Sequence, residues 1–210
     1  MKLNRRLATV ATLSVLSMAT SLPVLAQVCR SVVSVVPKAM THKRMPLDLI
    51  ASQIASERVA VCNVFPDQAY LAAMFHDCGV PLLCTRFPEY WKRLNLDDDS
   101  AWVDLALENT SYRLDHATVG YWVARNWGLP ELIVQAIQHH HAMPDDDTFG
   151  LRSTIGIVAL ATHIYLRNKG LSDPSWAVRG PEILSELGIH AAAQDEYIDE
   201  INERHVSLAV

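Results

Sequence analysis

Apolar residues recur at three- and four-residue intervals along most of the chain, and this pattern predicts helices rather than strands. Leu47, Leu49, Ile50, Ile54 and Ala55 form one stripe, on a helix that Pro46 suits at its first turn and that runs to about Val61. After a corner at residues 63–67, a helix is expected from Gln68 through AYLAAMFHDC, with Leu71, Ala72 and Phe75 facing inward and Gly79 and Pro81 ending or kinking it. EYWKRL reads as a short helix, and AWVDLALENT as another, with Asp97, Asp98, Asp99 and Ser100 as possible N-caps. Asp115 is a plausible cap for ATVGYWVARNW. Gly128 closes that helix, and Pro130 opens the next at or near its first position. Residues 151–166 form a stripe of Ile155, Val158, Ala159, Thr162 and Leu166, closed by Asn168, Lys169 and Gly170. Residues 171–180 read as loop, PEILSELG as a short helix and residues 189–204 as a final acidic one. No strand is required and no repeat stands out, so the expected fold class is all-α, with about eight to ten short helices.

The N-terminal residues fit two readings. A basic start, MKLNRR, precedes an apolar, small-residue run that ends in Val24, Leu25 and Ala26, which is the form of a secretory signal peptide over residues 1–26. Leu7, Val10, Leu13 and Leu16 also lie at near-helical spacing, which suits a first helix of the fold. Thr and Ser interrupt the run and Pro23 breaks it, so it is a poor membrane anchor and no membrane span is expected.

Composition narrows the class. Half of the residues are hydrophobic, enough for a core and unlike a disordered chain. The formal net charge of −5 argues against nucleic-acid binding driven by the overall field. The charge is uneven: no acid precedes Asp48, whereas Lys2, Arg5, Arg6, Arg30, Lys38, Lys43 and Arg44 do, and the last helix is acidic. Cys29, Cys62, Cys78 and Cys84 form no CxxC pair and read as buried thiols.

The candidate chemistry gathers at few places. His76 and Asp77 are adjacent, and His116 stands at a predicted helix start. His139, His140 and His141 end the helix that follows the tight corner Trp127-Gly128-Leu129-Pro130. A short corner between two helices brings their outer ends together. Imidazole and carboxylate are suitable ligands for divalent transition metals, and such mixed sites support hydrolysis.

The segments AYLAAMFHDCGVPLL, DHATVGYWVARNWGLPELIVQAIQHHH and IGIVALATHIYLRNKG resemble the HD superfamily of metal-dependent phosphohydrolases, and more closely its HDOD group, the HD-related output domain of bacterial signalling proteins. The resemblance covers about residues 45–170. It places His76 and Asp77 at the defining HD pair, His116 and Gly120 in the H-x-x-x-G segment, and His140 and His141 at the following double histidine. It implies His76, Asp77, His116, His140 and His141 as metal ligands, with iron or manganese as the ion where such a site is intact.

Departures accompany it. Catalytic cyclic-dinucleotide phosphodiesterases of the superfamily carry HDxGK, and here Val80 takes the lysine position. The early histidine falls near His42 and Lys43, with the phase favouring Lys43. The late acidic ligand falls at Thr162, and the GYP run is absent. The expectation is therefore a signalling or regulatory module with a degenerate site, no resident cofactor and a protein partner in a signalling pathway. A phosphohydrolase acting on a nucleotide or cyclic dinucleotide is the alternative. The resemblance implies a cytoplasmic protein, and a signal peptide would imply a secreted one. The expected organisation is a diverged segment at residues 1–44, an HD-like core at 45–170 and a helical extension at 171–210.

Overall fold

The computed structural model describes residues 47–94, 105–145, 148 and 150–208, and side chains to residue 204. The readings of residues 1–46, including the signal peptide, Cys29, His42 and Lys43, lie outside them, as do the caps at residues 97–100. Helices carry the described chain: α1 (Leu47–Cys62), α2 (Pro66–Phe75), α3 (Gly79–Arg86), α4 (Tyr90–Arg93), α5 (Leu105–Tyr112), α6 (His116–Asn126), α7 (Glu131–His139), α8 (Leu151–Asn168), α9 (Trp176–Glu186) and α10 (Gln194–Leu208), with a 3-10 turn at Ala191–Ala193. No strand occurs among the described residues, and the all-α expectation holds.

The chain divides into two units, each discontinuous in sequence. The first holds the described residues of Asp77–Val134, and the second those of Lys43–His76 and Gln135–Val210.

In the first unit, α3 packs on α6. Gly79 makes the approach possible. A Cβ on Gly79 would lie 2.0 Å from the His116 carbonyl oxygen and 2.9 Å from the Gly120 amide nitrogen, both backbone atoms that cannot swing aside. Cys78 Sγ lies 3.8 Å from the Gly120 carbonyl on the same crossing. The glycine of HDxG thus lies against the backbone of the HxxxG segment. Leu82, Leu83, Tyr90, Leu94, Leu114, Val119 and Val123 form the core beside it.

In the second unit, α8 packs against α1, α2 and α9, and α1 packs against α2. Ile155, Ile157, Leu160 and Ile164 of α8 are fully buried. Burying each contributes roughly 1.5–3 kcal/mol before conformational entropy is subtracted. Arg152 joins α8 to α9 through Glu182 at 2.9 Å and Glu186 at 3.1 Å.

Several local expectations change. α2 begins at Pro66, two residues before Gln68, whose side chain turns back to accept from the Phe65 amide at 2.9 Å. α2 stops at Phe75, so His76, Asp77 and Cys78 form a turn, and Gly79 and Pro81 open α3 rather than end α2. Proline is tolerated there because the first-turn amides have no intrahelical acceptor. The buried face of α2 is Ala69, Ala72 and Ala73, with Leu71 and Phe75 only part-buried, since small residues allow closer helix approach. Leu49 is 41% exposed and leaves the α1 stripe, which is completed by Ala51. Within the expected loop at residues 171–180, α9 starts at Trp176; its buried Gly180 and Ile183 hide the apolar period behind a glycine and Pro181.

Gly128 and Gly170 have positive φ, 72° each, and close α6 and α8 as expected. The Asp115 side chain caps α6 by accepting from the Thr118 amide at 2.7 Å.

Candidate metal centre

In the first unit, three elements converge on His116. The imidazole is fully buried at the first position of α6. Its Nδ1 lies 2.7 Å from Glu108 Oε2, and its Nε2 lies 3.4 Å from Asp77 Oδ1. A carboxylate oxygen accepts, so Nδ1 carries the proton directed at Glu108. Burial alone disfavours the charged ring, but its hydrogen bonds to the Asp77 and Glu108 carboxylates and their negative charge outweigh it and push the His116 pKa up to about 10.

Glu108, on α5, is itself fully buried. An isolated carboxylate there would cost many kcal/mol. It accepts from three donors: the His116 ring, the His116 backbone amide at 3.1 Å and the Tyr90 hydroxyl of α4. Burial first, and then the Glu108 carboxylate, raise the Tyr90 pKa well above that of a free phenol, so Tyr90 stays a donor. Asp77 is half-exposed, the accessible member of the group.

In the second unit, His76 and His140 are in edge contact, their ring centroids 5.3 Å apart, and the His140 and His141 centroids are 4.1 Å apart. His76 Nδ1 donates to the Ala73 carbonyl and His140 Nδ1 to the Ile137 carbonyl, both at 2.7 Å. Each bond closes the end of a helix, and each leaves the lone pair of the neutral ring on Nε2, the arrangement metal-ligating histidines use. Arg179 Nη2 donates to the His140 carbonyl at 3.0 Å.

The five residues expected from the sequence thus fall into two sets, Asp77 with His116 and His76 with His140 and His141. Asp77, His116, His140 and His141 are of the types that hold a metal ion, and the orientations of His116 and His140 fit that use. Glu108 escaped the sequence reading. Its signal was a carboxylate on the Leu105, Glu108 and Tyr112 stripe, spaced i, i+3 and i+7, where an apolar residue belongs.

Two of the departures, at Val80 and Thr162, have structural homes. Val80 packs against the core of the first unit. The Thr162 hydroxyl donates to the Val158 carbonyl of its own helix at 2.8 Å. His163, its neighbour, stacks on Trp176 with centroids 4.1 Å apart, and its Nδ1 lies 3.2 Å from Asp173 Oδ2.

No curated protein matches the sequence. Among solved structures, the crystal structure of "Putative phosphohydrolase from Shewanella amazonensis SB2B" is similar, with a TM-score of 0.56 and 17% identity. The match covers 83% of this chain and 66% of that one, so this chain spans just under two thirds of that protein's length, and the likeness is one of fold. The HDOD domain family matches residues 22–143, more than half of the chain. On that match, with His116, Gly120 and the Gly128 corner in their expected places, the chain belongs to the HDOD domain family.

Proposed function

We propose that this chain is a regulatory module of the HDOD kind, acting through protein–protein contacts in a signalling pathway, with a degenerate metal site. Its proposed ligands are His76, Asp77, His116, His140 and His141. A divalent ion, iron or manganese, held by the Asp77 and His116 set or by the His76, His140 and His141 set would as a Lewis acid polarise an oxygen ligand. The observation that carries the reading is the use made of Val80 and Thr162. A phosphohydrolase needs charge around the phosphoryl oxygens and a full ligand set. Val80 offers neither and packs against a core, and Thr162 bonds to its own helix. Cytoplasmic placement and a protein partner belong to the same proposal, as what the family implies.

The alternative is a surviving metal-dependent phosphohydrolase acting on a nucleotide or cyclic dinucleotide. The Glu108–His116–Asp77 arrangement favours it, because a ligand histidine commonly gives its second N–H to a carboxylate. A turnover screen separates the two. Full-length protein with added Mn²⁺ or Fe²⁺ is expected to hydrolyse neither bis(p-nitrophenyl) phosphate nor cyclic dinucleotides above the level of Asp77→Asn. Hydrolysis that Asp77→Asn abolishes would establish the phosphohydrolase instead.

A further inference from the structure

Glu108 has a geometry that a burial-filling side chain does not need. One oxygen, Oε2, takes both the backbone N–H and the Nδ1–H of His116, at 3.1 and 2.7 Å. Two bonds from one residue to one atom fix the ring against its own backbone. The other oxygen, Oε1, takes the Tyr90 hydroxyl, so the carboxylate cannot rotate away. With Nδ1–H committed to Glu108, Nε2 is the ring atom directed at Asp77, 3.4 Å from Oδ1. Glu108 and the His116 imidazole are fully buried, whereas Asp77 is half-exposed, so an ion would approach from the Asp77 side.

We infer that Glu108 is a positioning residue for a divalent cation held by Asp77 and His116, and that Tyr90 in turn positions Glu108. This rests on the proposed reading of Asp77 and His116 as retained metal ligands. Glu108 is not itself a ligand in this assignment, because both of its oxygens already accept hydrogen bonds inside the fold. Its work is to hold the ring plane and to keep the lone pair on Nε2 when the ion is bound.

Co²⁺ is the probe, titrated into the full chain and followed by visible absorption. In the loaded protein, the Nδ1–H of a ligating imidazole gives a paramagnetically shifted, exchangeable proton signal. Glu108→Gln keeps the size and one acceptor but loses the charge. It is expected to weaken Co²⁺ binding about 10–100-fold and to move or broaden the His116 signal. Tyr90→Phe should act in the same direction with a smaller effect. Binding by Glu108→Gln within twofold of wild type, with the His116 signal unmoved, would overturn the assignment and leave Glu108 a structural carboxylate. Should Glu108→Gln not fold, Tyr90→Phe decides: weakened Co²⁺ binding supports the assignment, and unchanged binding overturns it. Wild-type protein that takes up Co²⁺ no better than Asp77→Asn would overturn the assignment together with the ligand reading, while the absence of turnover, measured separately, would still stand.

Discussion

The carboxylates of Glu108 and Asp173 are almost wholly removed from water, and each survives there by its donors. Asp173 receives the Ser175 amide at 3.1 Å and hydroxyl at 2.7 Å, beside the His163 ring. Burial pushes its pKa up, but His163 and Ser175 outweigh that and leave it below the ordinary aspartate value. A depressed acid stabilises the fold fully above its unfolded pKa of about 3.9, and that contribution is lost as pH falls through the lower folded value. Asp173→Asn should therefore lower Tm at pH 7, with the gap to wild type closing as pH drops below about 4. Thermal melts from pH 7 to pH 3 check this, and a gap that stays constant would mean the charge does not matter. At this scale the sequence was legible in residue type and opaque in partnership. The adjacent His76 and Asp77 and the run at His139, His140 and His141 announce themselves as ligand types. That Glu108 would meet His116 across eight residues depended on the turn after α5, where Arg113 takes a positive φ of 58°, which no periodicity encodes.

Helix contacts explain why certain small residues stand where they do. The α3–α6 crossing leaves no room for a side chain at Gly79, since the His116 carbonyl would be 2.0 Å from its Cβ. Gly79→Ala must push α6 away, and with it the carbonyl of the residue that carries the buried imidazole. Overpacking of this kind typically costs 1–3 kcal/mol, and about 3 kcal/mol or more is expected here because both obstructing atoms are backbone. Urea denaturation should show the loss. The same substitution at Gly180 first meets the Trp176 ring, a side chain rather than backbone, and should cost less. A Gly79→Ala protein as stable as wild type would mean that α3 and α6 do not approach this closely. The elements themselves were mostly legible, because period, Asp115 as a cap and Gly128 and Gly170 as stops all agree. The misreadings share a cause. Around His76 to Pro81 and around Trp176 to Pro181, glycine and proline sit inside or at the start of helices, and their local meaning as breakers was overridden by position in the first turn or by packing.

At the scale of the whole molecule, the question is whether the retained ligands bind an ion without turning anything over. Binding and catalysis leave different marks. An ion that binds the native chain and not the unfolded one raises stability by mass action, whatever chemistry it supports. With free Mn²⁺ at ten times its Kd the gain is about 1.4 kcal/mol, which for a chain of this length is a Tm rise of roughly 3–6 °C. The rise should grow with the logarithm of Mn²⁺ concentration and reverse on chelation. Asp77→Asn should remove most of it, because it takes away a proposed ligand. A surface effect of a divalent cation on a chain of net charge −5 would instead persist in that variant and fade with added monovalent salt. A Tm rise that needs Asp77, in protein that hydrolyses no phosphoester, is the joint result expected of a regulatory module. The same rise accompanied by Asp77-dependent hydrolysis would make the chain an enzyme, with Val80 and Thr162 replaced in their roles by residues not yet assigned.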